Sequence, residues 1–303
     1  MGSIAMNWAS LPIMGLTIAL LSGAGAPGIA ADLTLYEGQT IVTGERAETR
    51  IPALRDCLLQ VFVKLSGDIS LASEPRAVRL SEQAPSYMVS YRYRDRMEGI
   101  PHHDEQGSRD RPYDLTVAFD PVKVDAALAS LGSSAWIDRP PLVALITIRT
   151  EAGSFFLAAD DRHGIDQKDA LFAAAAQFGM SLHLPTRTDL TRMKHIAPDG
   201  QGAGSDQIAP RSGTGDPENR VAGHRTPAGR YPAAAVFLSG TLDWDAEALG
   251  WRAAWHLEAP GVMDSRWAIS GVTFDNAFRN AIGGAAARLA KIDRQTPNSL
   301  PHH

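Results

Sequence analysis

Cys57 is the only cysteine among 303 residues, and a lone thiol can act as a nucleophile, carry a lipid or simply pack. A reactive thiolate needs a basic neighbour or a helix N-terminus to lower its pKa. In the stretch RDCLLQVFVKLSGD the cysteine stands among apolar residues with no histidine nearby. Leu54, Leu58, Val61, Phe62 and Leu65 recur at helical spacing, with Arg55, Asp56, Gln60 and Lys64 around the rest of the wheel. Pro52 suits a first helical turn and Gly67 a stop, which puts Cys57 mid-helix on the apolar face. The expectation is a buried, inert side chain. One cysteine forms no internal disulfide, and this one lies too far from the apolar N-terminal stretch to be a lipid attachment point.

Two other clusters invite a metal reading. His102-His103-Asp104-Glu105 offers adjacent ligands, but zinc needs three or four in fixed geometry, and no second half-site such as His-x₃-His appears. Asp160, Asp161, His163 and Asp166 gather as a calcium loop would, without its spacing or its terminal Glu. A Gly-x-Ser-x-Gly elbow is missing, and no Gly-rich loop follows a strand to cradle phosphate. No catalytic, cofactor-binding or metal-ligating residue is therefore assigned, and no cofactor is expected. One place stands out as a possible interaction surface: GWRAAWHLEAPG, where alternation puts Trp251 and Trp255 on one strand face and Arg252 and His256 on the other. The tryptophans either pack beneath the C-terminal helix, through Phe278, Ile282 and Leu289, or anchor a partner.

The elements that must hold these residues follow from patterning. LTLYEGQTIVTG (Leu33 to Gly44) reads as a strand, followed by the Cys57 helix and a short helix in EPRAVRLSEQAP. SYMVSYRYRDR (Ser86 to Arg96) alternates Tyr87, Val89, Tyr91 and Tyr93 against Met88, Ser90, Arg92 and Arg94, a half-buried strand. YDLTVAFD pairs back across a polar loop, and Asp120-Pro121 opens a helix that Gly132 ends. A second unit begins near Trp136, where Arg139-Pro140-Pro141 precedes LVALITI, a run suited to a strand covered on both faces. A helix from Gln167 leads into a strand at Leu182. Three strands then form a meander from Pro232 onward, and a final helix carries Asp275 as its cap. The fold class is α+β / α/β: two mixed units, 32–134 with an antiparallel hairpin and helices, and 135–295 with a buried sheet and a Trp-rich meander. The segment Thr186 to Arg230, rich in Gly and Pro and poor in large apolar residues, is expected to be mobile, and 296–303, with His302 and His303, a disordered tail.

The N-terminus bears on compartment. No charged side chain precedes Asp32, LPIMGLTIALL forms an apolar centre, and SGAGAPGIAA ends it with small residues. That pattern is a secretory signal cleaved after Ala30 or Ala31, lacking only its basic start. The alternative is an uncleaved inner-membrane anchor over Ile4 to Ala26. A net charge of -5 and a pI near 6.0 give no global field to recruit nucleic acid.

The ordered runs ALRDCLLQVFVKLSGD, YMVSYRYR, LTVAFDPVKVDAALASLG, RPPLVALITI and AAAVFLSGTLDWDAEALGWRAAWHL resemble an exported proteobacterial family, domain of unknown function 2066, from Leu33 to Ile292 apart from Thr186 to Arg230. The resemblance implies a periplasmic protein and transfers no catalytic residue. Two functions follow as expectations. The first is a non-enzymatic binding or scaffold module of the cell envelope, with an envelope protein or ligand as partner, no nucleic acid, and no membrane span once the signal is removed. The alternative is a periplasmic hydrolase whose site is assembled from distant residues such as Asp160, His163 and His256.

Overall fold

The computed structural model describes residues 34–99, 110–196, 231, 235–259 and 265–295. The expected signal (1–31), the loop holding His102 to Glu105, and the tail 296–303 lie outside the described residues. The architecture is α+β, built on two sheets.

The first sheet is antiparallel, in the order β1 (Glu37–Thr43), β3 (Pro112–Phe119), β2 (Met88–Asp95). Helix α1 (Ala47–Ser66) lies on one face, and its Leu54, Leu58, Val61, Phe62 and Leu65 pack with Val42, Leu115, Val117 and Phe119. Each fully buried Leu or Phe of that stripe contributes roughly 1.5–3 kcal/mol by leaving water. The spacing therefore read the buried face correctly, and Gly67 ends the helix in the left-handed region as expected. Pro52 is a correction: the helix starts five residues earlier, at Ala47, and Pro52 lies inside it. A proline this early deletes only the bond to the Glu48 carbonyl, which an exposed first turn tolerates. A short 3₁₀ turn (Ile69–Ala72), α2 (Pro75–Ser81) and α3 (Ala84–Tyr87) lead into β2. The tyrosines of β2 do turn toward α1, where the Arg50 guanidinium lies 4.7 Å above the Tyr91 ring. As β2 is the sheet edge, Val89 and Tyr91 nevertheless stay exposed. Helix α4 (Pro121–Ser130) is capped by the Asp120 carboxylate, which accepts from the Val122 and Lys123 N–H groups.

The second sheet has six strands: β5 (Gly153–Phe156), β4 (Leu142–Thr150), β7 (Val236–Asp245), β8 (Gly250–Glu258) and β9 (Ser265–Val272) in line, with β6 (Leu182–His183) also paired to β4. The meander β7-β8-β9 is antiparallel as expected, while β4 joins it in parallel. Helix α7 (Phe274–Gln295) covers one face, and α5 (Ile165–Gln177) packs against α7. The α7 cap is Thr273 rather than Asp275: the Thr273 hydroxyl accepts from Asn276 N and its carbonyl from Ala277 N. On the other face α6 (Arg187–Ile196) sets Leu190 and Met193 against Leu145 and Ala158. Residues 187–196, at the start of the Gly- and Pro-rich segment, are therefore helical. The Asp189 carboxylate accepts from the Thr186 N–H and hydroxyl, a local capping arrangement that lets two apolar residues suffice. Residues 197–230 are outside the described set. No helix among the described residues is long and apolar enough to cross a membrane.

Candidate functional site

Strand β1 is an edge strand, and its outward backbone groups need partners. Helix α1 provides them. Lys64 Nζ donates to the Glu37 carbonyl at 2.7 Å and the Thr34 carbonyl at 3.4 Å, and Gln60 Oε1 accepts from Gln39 N. Beside this edge two clefts adjoin, of about 580 and 490 Å3, and Gln39, Lys64 and Ala176 border both. The larger is walled by Glu37, Arg92, Arg139 and Met180, the smaller by Asp114, Ala173, Asp275 and Arg279.

Arg139 closes the larger cleft from the second unit. Its Nε donates to the Trp136 carbonyl at 2.9 Å, and its two Nη groups donate to the carbonyls of Phe178, Lys64 and Leu65. The guanidinium also sits 4.6 Å over the Trp136 ring. Gly179 makes this approach possible: a Cβ there would lie 3.0 Å from Arg139 Nη1 and 3.2 Å from Lys64 Cγ, on a backbone with φ of +63°. Lys64 and Arg139 thus neighbour each other with carbonyls as their hydrogen-bond acceptors. The nearby Glu37 carboxylate is occupied by Arg92, at 3.2 and 3.1 Å. Burial, and then the Arg139 charge, hold the Lys64 pKa down at about 8, while burial lowers Arg139 to about 10. Perturbed cations in a cleft mark a functional-site candidate. Sequence patterning had put Lys64 only on the polar side of its helix. The legible signal was Arg139 in the inter-unit connection, a cation placed where two layers meet.

The meander residues divide by face. Trp251, Ala253, Trp255 and Leu257 are buried, and the Trp255 ring lies 6.2 Å from Phe278 of α7. Gly240 stands opposite Trp255 on β7, and a Cβ there would come within 2.1 Å of the indole. Arg252 and His256 occupy the opposite face, where Arg252 is exposed and His256 is partly buried beside Glu258, at 3.2 Å. Among the described residues, α6 covers only the Leu145 end of that face. The remainder is a groove of about 650 Å3 bordered by Thr147, Phe156, Thr241, Ala254, His256 and Ala268. Cross-strand register aligns Thr147, Thr241, Ala254 and Ala268 in one row, with Arg149, Asp243 and Arg252 in the next.

The remaining candidates have structural duties. Cys57 is fully buried, and desolvation, with Asp56 adding to it, pushes its thiol up to about 12. Asp161 accepts from His163 N and pairs with its ring at 2.9 Å, contacts that hold the carboxyl down at about 2. Asp160 accepts from Arg187 N, which ties the loop to α6, and Asp166 lies in the first turn of α5. His256 borders the open groove, and neither Asp160 nor His163 shares that groove with it.

Residues 30–137 are similar to a domain of unknown function, DUF8605. This corrects the resemblance to domain of unknown function 2066: the domain is an uncharacterised one, but a different one, and its match spans the first sheet with α1 to α4. Generic strand and helix runs in a common order, without a chemically diagnostic motif, do not separate two such families. No curated protein and no solved structure matches the chain.

Proposed function

We propose that the protein is an exported, non-enzymatic binding module of the cell envelope, acting through the open face of its second sheet. The charge-free, apolar leader with small residues at its end supports export to the periplasm. The observation that carries the binding reading is the row Thr147, Thr241, Ala254 and Ala268, a small-residue floor that no described residue covers, in a sheet whose other face is packed under α7. Its occupant is an extended segment of an envelope protein that sets an apolar side chain on this floor and polar ones at its border. Around this floor Arg149, Arg252 and Arg266 are matched by Asp243, Asp245 and Glu258, and Arg252 pairs with Asp245 at 3.4 Å, so charges of both signs border the apolar floor. Trp251 and Trp255 serve from beneath, as the rigid support of the strand that carries Arg252 and His256.

A photoreactive residue in place of Ala268 should crosslink one discrete envelope protein in cells. The captured segment, made as a peptide, should carry a large apolar residue and lose affinity at least tenfold when that residue is replaced by Ala. Ala254→Arg should remove the crosslink with the melting temperature unchanged. Undiminished capture by that variant would rule the groove out. Export is checked separately: protein from periplasm should have the intact mass of a chain starting after Ala30 or Ala31.

A further inference from the structure

We propose that the cleft between Lys64 and Arg139 binds the carboxylate head of a small acyl ligand, a site separate from the open sheet face. An ammonium has three N–H donors and a guanidinium five. Lys64 spends two on the carbonyls of Glu37 and Thr34, and Arg139 spends four on those of Trp136, Phe178, Lys64 and Leu65. Each cation therefore retains one donor, and both side chains line the same cleft. Carbonyl partners leave the formal charges in place, and two like charges in a partly buried site repel. Of the two carboxylates that line the cleft, Glu37 is held in a two-point pair by Arg92 on the far wall, and Asp138 is exposed. An entering anion would relieve that repulsion and take both remaining donors. The same cleft presents Leu35, Ile137 and Met180 as an apolar wall, which suits a short hydrocarbon body rather than a bare inorganic ion. Its volume of about 580 Å3 falls within the range of small-molecule sites, roughly 300–1,000 Å3.

The test is calorimetric titration of the full chain with hexanoate, hexanol and inorganic phosphate. Hexanoate should bind, and hexanol and phosphate should bind at least tenfold more weakly. Between pH 7 and pH 9 hexanoate affinity should fall about tenfold, as Lys64 passes through its depressed pKa of about 8 and loses its charge. The charged and titratable groups around Lys64 are Arg139, Glu37, Asp138 and Cys57, with Arg92 behind Glu37, and Asp114, Asp275 and Arg279 line the adjoining cleft that Lys64 also borders. Of these, Arg139, lowered to about 10, stays mostly charged over that range, and Cys57, raised to about 12, stays neutral. Lys64→Gln should weaken hexanoate and abolish the pH dependence. Ile137→Asp, which adds an acid on the same wall and leaves the Arg139 contacts in place, should weaken it at least tenfold with an unchanged melting temperature. Binding of hexanoate unaffected by both variants would overturn the site, as would phosphate binding as tightly as hexanoate.

Discussion

The two sheets meet the same problem, one long helix packed on one face, and treat the opposite face differently. On the first sheet charges pair directly across strands: Arg92 with Glu37, Arg94 with Asp114 at 2.6 Å, and Arg96 with the same Asp114 at 3.6 Å. On the second, the central row is small and nearly uncharged, and the ion pairs, such as Arg149 with Asp243 at 3.3 Å, stand at its border. A face of cross-strand ion pairs is stable in water and gains little from being covered. A face of threonine and alanine offers area without competing charge. The two proposals follow this contrast: the first places a ligand at the sheet edge, around Lys64, and the second a partner on the sheet face.

The sharpest way to break this comparison is to remove the support beneath the second face. Trp255→Ala should cost roughly 3–5 kcal/mol in urea denaturation, because the indole fills the space between Gly240 and Phe278. A loss below about 1 kcal/mol would mean that the strand does not depend on α7.

A smaller effect reports on the first unit through pH. Lys64 has a folded pKa of about 8 against 10.5 for a free lysine. Between those values the unfolded chain binds the extra proton, so stability rises with pH across that window and is lost as pH falls through 8. Cys57 acts in the opposite sense. Its folded pKa of about 12 exceeds the free value of 9.0, so the native state keeps a proton that the unfolded chain releases, and stability falls with pH from 9 to 12. The two slopes oppose each other between pH 9 and 10.5. Cys57→Ala should therefore unmask a rise on the order of 1–2 kcal/mol from pH 8 to 10.5, read by denaturant midpoints. A flat profile in that variant would show that Lys64 is not desolvated.

At pH 7 the same substitution should cost about 1 kcal/mol, and native protein should react slowly with thiol reagents until denatured. The smallest effect belongs to the ion-pair face: Arg94→Ala should change stability by less than about 1 kcal/mol, since Arg94 is largely exposed and Arg96 also reaches Asp114. A larger loss would mean that the face is tuned for more than water.

What was legible in the sequence was local. The apolar stripe with Cys57, the Asp120 cap, the Gly67 stop and the two faces of β8 all follow from spacing alone. The parallel pairing of β4 with β7 joins segments about ninety residues apart, and no periodicity encodes it. Strand β5 is four residues long, and α6 lies in a polar stretch where Leu190 and Met193 are the apolar signal. The helical wheel places Lys64 off the apolar stripe and says no more, because it shows only its own helix. Here β1 and the segment after α5 close over it. The open groove was half legible: alternation placed Arg252 and His256 opposite the tryptophans, while the neighbouring row from β4, β7 and β9 needed the register.

Arg139 lies two residues past the stretch that matches the family domain, yet its guanidinium finishes the last turn of α1 by binding the Lys64 and Leu65 carbonyls. Arg294, from the end of α7, does the same for the Ser66 carbonyl at 3.1 Å. The C-terminal end of the first unit's main helix is therefore completed by residues translated much later. A chain ending at residue 137 would keep the Trp136 N–H on the Leu65 carbonyl, at 2.8 Å, and leave the Lys64 and Ser66 carbonyls open to water. Amide hydrogen exchange in the last turn of that helix should then track the opening of the second unit as well as that of its own sheet.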